Sequence, residues 1–107
     1  MGVNFDFNSS KLKPESYPIL YHAAQMMHQN SNTAVEVQGY CDNIGSDKIN
    51  LKISKMRADA VKNYLVARGI SENRISTEGY GSANPIGDNK VAAGRTMNRR
   101  IEFKVFK

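Results

Sequence analysis

VQGYCDNIGSDKINLKISKMRADAVKNYLVARGI, residues 37–70, joins the end of a strand to a long helix through a short polar turn. Residues 34–40 carry Val35, Val37 and Gly39 on one face, the period of two expected of a half-buried strand. The turn Asp42-Asn43-Ile44-Gly45-Ser46 ends it. From about residue 47 to residue 67 apolar side chains recur at helical spacing, and Gly69 stands where a left-handed cap closes a helix. On a wheel of about 100° per residue, Ile49, Ile53, Tyr64, Val61, Leu65 and Ala58 form an apolar arc, with Lys48, Lys52, Lys55 and Lys62 opposite. Arg57 and Asn50 stand in the middle of that arc. A buried guanidinium without a partner is costly, so the pattern demands an answering group.

The obvious partner is Asp42, fifteen residues before Arg57, placed where the strand ends beside the start of the helix. An isolated Arg/Asp pair of this kind is also what a structural salt bridge at the rim of a core looks like. In the last predicted strand Arg99 shares parity with Ile101, Phe103 and Val105, so a second arginine points to the core side. Two inward arginines facing one acid leave a positive centre, the arrangement suited to a ligand carboxylate.

Outward from this segment the chain reads as alternating strands and helices. Val3, Phe5 and Phe7 alternate with Asn4, Asp6 and Asn8, which predicts a first strand over residues 3–7 with all three apolar side chains inward. Pro14 and Glu15 resemble a helix start, with Ile19, Leu20, Ala23, Met26 and Met27 at helical spacing and Pro18 expected to kink or delay it. Residues 74–80 read as a third strand. A loop rich in Gly, Pro and Asn follows, then a short helical turn over residues 91–97 and a final strand over residues 99–106, with Arg100 facing solvent. The order β-α-β-α-β-(short α)-β predicts an α/β (α+β) two-layer sandwich, a mixed sheet covered by two main helices.

The 107 residues suit one domain, and 40% apolar with 23% charged residues is ordinary globular composition. The net charge of +5 fits an anionic partner without selecting one. No P-loop, GxSxG or HExxH occurs, and His22, His28 and Cys41 have no acid at triad or metal-ligand spacing, so no catalytic residue, metal or cofactor is expected. The core parity of Phe5, Phe7 and Phe103 and the lack of a ring cluster between basic residues argue against nucleic acid. The start at Met1-Gly2 reads as the beginning of a segment cut from a longer chain, with any export signal or membrane anchor, and hence any membrane contact, outside it.

The stretches VNFDFNSSKLKPES (3–16), residues 37–70, RISTEGYGSANPIGDN (74–89) and GRTMNRRIEF (94–103) together resemble the OmpA/Pal/MotB C-terminal domain family over nearly the whole chain. The resemblance implies a single domain over residues 1–107, forming the C-terminal part of an envelope protein. It implies non-covalent binding of the diaminopimelate in the peptidoglycan stem peptide, on the periplasmic side of the envelope and tethered to the outer membrane. By position, Asp42 matches the family's ligand-binding aspartate and Arg57 its partner arginine. Asn50, Ile53, Arg99, Asn8 and Cys41 fall on supporting pocket positions. Diaminopimelate carries an ammonium and a carboxylate on its side-chain stereocentre, so an Asp beside an Arg forms a complementary clamp. Cys41 replaces the usual Thr or similar small residue, a weaker donor whose backbone amide is expected to remain available. A dimerisation or partner-docking module of the same fold, with a homodimer as partner, is the alternative.

Overall fold

The parallel pairing of Val35 with Ile75 and the antiparallel pairing of Val35 with Val105 make one strand the centre of a mixed sheet. In this computed structural model, which describes residues 3–107 and so leaves the Met1-Gly2 start outside the described residues, the strands are β1 (Ala34–Gly39), β2 (Ile75–Gly79) and β3 (Ile101–Phe106), in the order β2-β1-β3. The helices are α1 (Tyr17–Gln29), α2 (Asp47–Ala67) and the short α3 (Ala92–Asn98), with 3-10 turns at Pro14–Ser16 and Glu72–Arg74. The expected layering of a mixed sheet under two main helices holds.

Pro14 opens the 3-10 turn, and Pro18 lies in the first turn of α1, where its missing N–H costs no helical bond; it delays the helix without breaking it. Helix α2 starts where Ser46 Oγ accepts from the Ile49 amide at 3.2 Å. It ends where Gly69 takes φ +94°, letting the Ile70 amide reach back to Leu65 O at 3.1 Å. The core joins Leu20, Ala24 and Met27 of α1 to Val35 and Val37 of β1 and Ala58, Val61 and Leu65 of α2.

Helix α2 lies unusually close to the sheet over one glycine pair. Gly39 and Gly79 are register partners on β1 and β2. A Cβ on Gly39 would stand 1.9 Å from Ser54 O, and one on Gly79 2.5 Å from the Lys55 amide. Ser54, fully buried there, donates to Leu51 O and accepts from the Gly81 amide at 2.9 Å, so its hydroxyl is satisfied despite the burial. At about 100° per residue Ser54 falls between Val61 and Leu65 on the apolar arc, but a serine carries no hydrophobic signal; its small size is what the site requires.

Four expectations fail locally. The strand over residues 3–7 reduces to one antiparallel bridge, Asn4 with Arg100, flanked by the bonds Ile101 N–H to Val3 O and Phe5 N–H to Arg99 O. Val3 and Phe5 are buried, but a turn at residues 7–8, with Asn8 at φ +54°, throws Phe7 outward to 51% exposure. Arg100 is not solvent-facing: it is 4% exposed, lies 3.9 Å over the Tyr40 ring, and donates to Glu102 Oε2 and Asn84 O. Parity was read correctly, but the loop and the ring cover the sheet's outer face at that point. Val105 keeps the inner parity yet is 57% exposed, because it borders a groove beside Met26 and Met27 at the strand's far end.

Candidate functional site

Where β1 ends, Tyr40 N–H donates to Arg100 O and Cys41 N–H to Gly81 O at 2.7 Å, which fixes the backbone that carries Asp42. Asp42 Oδ1 then accepts from the Ile44 amide at 3.0 Å, an Asx turn that locks the carboxylate. The other oxygen, Oδ2, receives Arg99 Nη1 at 2.7 Å. Arg99 stands at the junction of α3 and β3 and is held by Nε to Phe5 O at 2.9 Å and Nη2 to Thr96 Oγ1 at 2.9 Å.

Arg57 rises from the middle of α2 into the same space, 1% exposed. It does not pair with Asp42, as the sequence had suggested. Its Nε donates to Ser9 O (2.8 Å), Nη2 to Asp6 O (2.9 Å), and Nη1 to Tyr40 O (3.0 Å) and Cys41 Sγ (3.3 Å). Its guanidinium lies 5.1 Å over the Phe5 ring. The answering groups are therefore mainly backbone carbonyls at the end of β1 and in the N-terminal turn, partners that a search among acidic side chains could not find. Burial pulls the Arg57 guanidinium below its ordinary value.

Cys41 is 5% exposed, and burial pushes its thiol up, so it stays protonated near neutral pH. That fits its two bonds: it accepts from Arg57 and donates to Asn50 O at 3.3 Å. The sequence expectation for this residue is reversed, because its side chain makes contacts and its amide is committed to Gly81 O. Asn50 is 3% exposed, and its Nδ2 finds no hydrogen-bond partner among the described residues.

These groups line one cavity. Asn8, Cys41, Asp42, Asn50, Ile53, Arg57 and Arg99, the full set of candidate site residues, border it together with Phe7. Phe7 was missed because its alternation with Val3 and Phe5 assigned it to the core. The cavity holds about 10 Å³, room for roughly one water molecule. One carboxylate and two guanidinium groups leave it with excess positive charge and an unanswered amide donor. His28 lies away from the cavity: its Nε2 sits 2.9 Å from Arg68 O, about 16 Å along α2 from Arg57 at 1.5 Å per residue.

Comparison with known proteins gives a consistent result. The profile of the OmpA family matches residues 4–99. The chain is 46% identical over 105 residues to outer membrane porin F of Pseudomonas fluorescens, covering 98% of this chain and 32% of that one. It is 41% identical over 103 residues to the peptidoglycan-binding protein ArfA of Mycobacterium bovis, covering 96% and 32%. The fold matches the peptidoglycan-associated lipoprotein of Burkholderia pseudomallei with a TM-score of 0.93 at 25% identity, over 98% of this chain and 89% of that one. The chain thus spans about a third of the length of these two curated relatives.

Proposed function

Because the chain belongs to the OmpA family, we propose that it is a non-enzymatic domain that binds peptidoglycan through the diaminopimelate of the stem peptide. In the longer protein of which it forms the C-terminal part, it anchors an outer-membrane or other envelope protein to the cell wall from the periplasmic side. The observation that carries this reading is the cavity at the end of β1, where Asp42, Arg57, Arg99 and the unpartnered Asn50 amide converge. A side chain ending in both an ammonium and a carboxylate answers that set: the carboxylate takes the excess donors and the ammonium takes Asp42. The names of the mycobacterial and Burkholderia relatives, peptidoglycan-binding and peptidoglycan-associated, support the same polymer. Among the described residues no helix is long and apolar enough to cross a membrane.

Co-sedimentation with purified diaminopimelate-type peptidoglycan tests the reading. The parent chain pellets with the wall, and Asp42→Ala stays in the supernatant with an unchanged circular dichroism spectrum. A folded Asp42→Ala that still pellets like the parent would remove the cavity from the binding surface.

A further inference from the structure

Asp42 and Arg99 satisfy each other at 2.7 Å, and the cavity beside them has room for only about one water molecule. A ligand ammonium that is to reach Asp42 Oδ2 therefore meets Arg99 Nη1 already in place there. The rest of the wall around the pair is fixed. Arg57 has four of its five N–H donors committed to Asp6 O, Ser9 O, Tyr40 O and Cys41 Sγ. Arg99 commits three, one of them to Asp42, and its side chain is 14% exposed against 3% for Asp42. Arg99 is therefore the charged group with both the freedom and the donors to move.

We infer that Arg99 is the specificity-determining residue of this site and acts by exchange: the ligand ammonium displaces its guanidinium from Asp42, and the ligand carboxylate then receives the released Nη1. The inference rests on the peptidoglycan reading above. Its consequence is a filter. A ligand that brings an ammonium alone must either sit beside Arg99 as a like charge or leave that guanidinium without an anion, and both are unfavourable. A ligand that brings both charges replaces one ion pair by two. In this scheme Arg57 holds the cavity's shape, and Arg99 decides which amines enter.

The test is isothermal titration of the parent chain and Arg99→Gln with two muropeptides that differ only in diaminopimelate against lysine. The parent prefers diaminopimelate by about ten- to hundred-fold, the cost of leaving a buried charged donor unanswered. In Arg99→Gln that preference falls to within about three-fold, through weaker diaminopimelate binding and unchanged or tighter lysine binding. A variant that loses affinity for both ligands by the same factor, keeping the parent's ratio, overturns the exchange while leaving the peptidoglycan reading intact. A parent that binds neither muropeptide overturns both. Because Arg99 also holds Phe5 O and Thr96 Oγ1, the variant can lose stability, so a second measurement uses the parent alone. In a crystal structure of its complex with the diaminopimelate muropeptide, Asp42 and Arg99 stand beyond hydrogen-bond reach of each other. A pair still closed at its present distance with the ligand bound contradicts the exchange.

Discussion

Asp42 forms its ion pair with Arg99, while Arg57 in the same cavity is spent on the carbonyls of Asp6, Ser9 and Tyr40. The two arginines therefore fail differently when removed. Arg57→Ala strands three carbonyls that tie the N-terminal turn to the end of β1, and at about 1–3 kcal/mol for each acceptor left unsatisfied its expected cost is about 3 kcal/mol or more. Its melting temperature should fall by roughly 15 °C or more. A double-mutant cycle should show coupling between positions 42 and 99 that exceeds the coupling between 42 and 57. Chemical denaturation of the single and double variants measures both, and equal coupling would restore a direct Asp42–Arg57 clamp.

Neighbouring Arg99 and Arg100 point to opposite faces and should separate binding from stability. Arg100→Ala loses the contact over Tyr40 and the bonds to Glu102 and Asn84 O, all outside the cavity. We expect it to unfold at lower denaturant while pelleting with peptidoglycan like the parent. Arg99→Ala should pellet poorly. Equal loss of wall binding in the two variants would mean that general positive charge drives the association.

The Gly39–Gly79 pair should tolerate no side chain. In Gly39→Ala the new Cβ meets Ser54 O at 1.9 Å, a backbone atom that cannot swing aside, so α2 must lift from the sheet. Overpacking of this kind costs about 1–3 kcal/mol, which for a domain of this size lowers the melting temperature by roughly 5–15 °C. Since α2 carries Arg57 and Asn50, wall binding should weaken with it. Thermal melts and sedimentation of the same preparation check both effects.

The outer face of the sheet offers a spectroscopic check. Tyr80 donates to Glu36 at 2.7 Å, and that bond pushes its hydroxyl up to about 12. Glu36 is held below its ordinary value, first by the Gln38 amide and then by Tyr80. The sign follows from both shifts. The tyrosine's contribution to stability is complete below about pH 10, its unfolded value, and is lost as pH rises through about 12. The glutamate's contribution is present above its unfolded value near 4.5 and is lost as pH falls through its lower folded value. Ultraviolet titration should show one late-ionising tyrosine that moves towards 10 in Glu36→Gln. A titration unchanged by that substitution would disprove the bond.

The long helix was legible because its signals are local: the polar turn before it, the apolar period and Gly69 after it. Part of the cavity was legible too: Arg57 and Asn50 as polar residues on an apolar arc, Asp42 and Arg99 from charge and parity, whereas Asn8, Cys41 and Ile53 came from the family resemblance alone. The partners of Arg57 were not, since three of them are backbone carbonyls, and every residue carries one. Phe7 and Arg100 were misplaced for a related reason. Period-two parity assigns a face but cannot say that a turn at Asn8 ends the alternation, or that Tyr40 and the loop at Asn84 cover the outer face.

The central claim is that this cavity reads the zwitterionic end of diaminopimelate. It is tested most directly by isothermal titration of the parent chain with a diaminopimelate muropeptide and with its counterpart amidated at the side-chain carboxylate. The amide replaces an anion by a neutral group in front of the cavity's excess guanidinium donors. Saturable binding of the first ligand is expected, with affinity weaker by about ten-fold or more for the second. No heat with either ligand, or the same affinity for both, would contradict it.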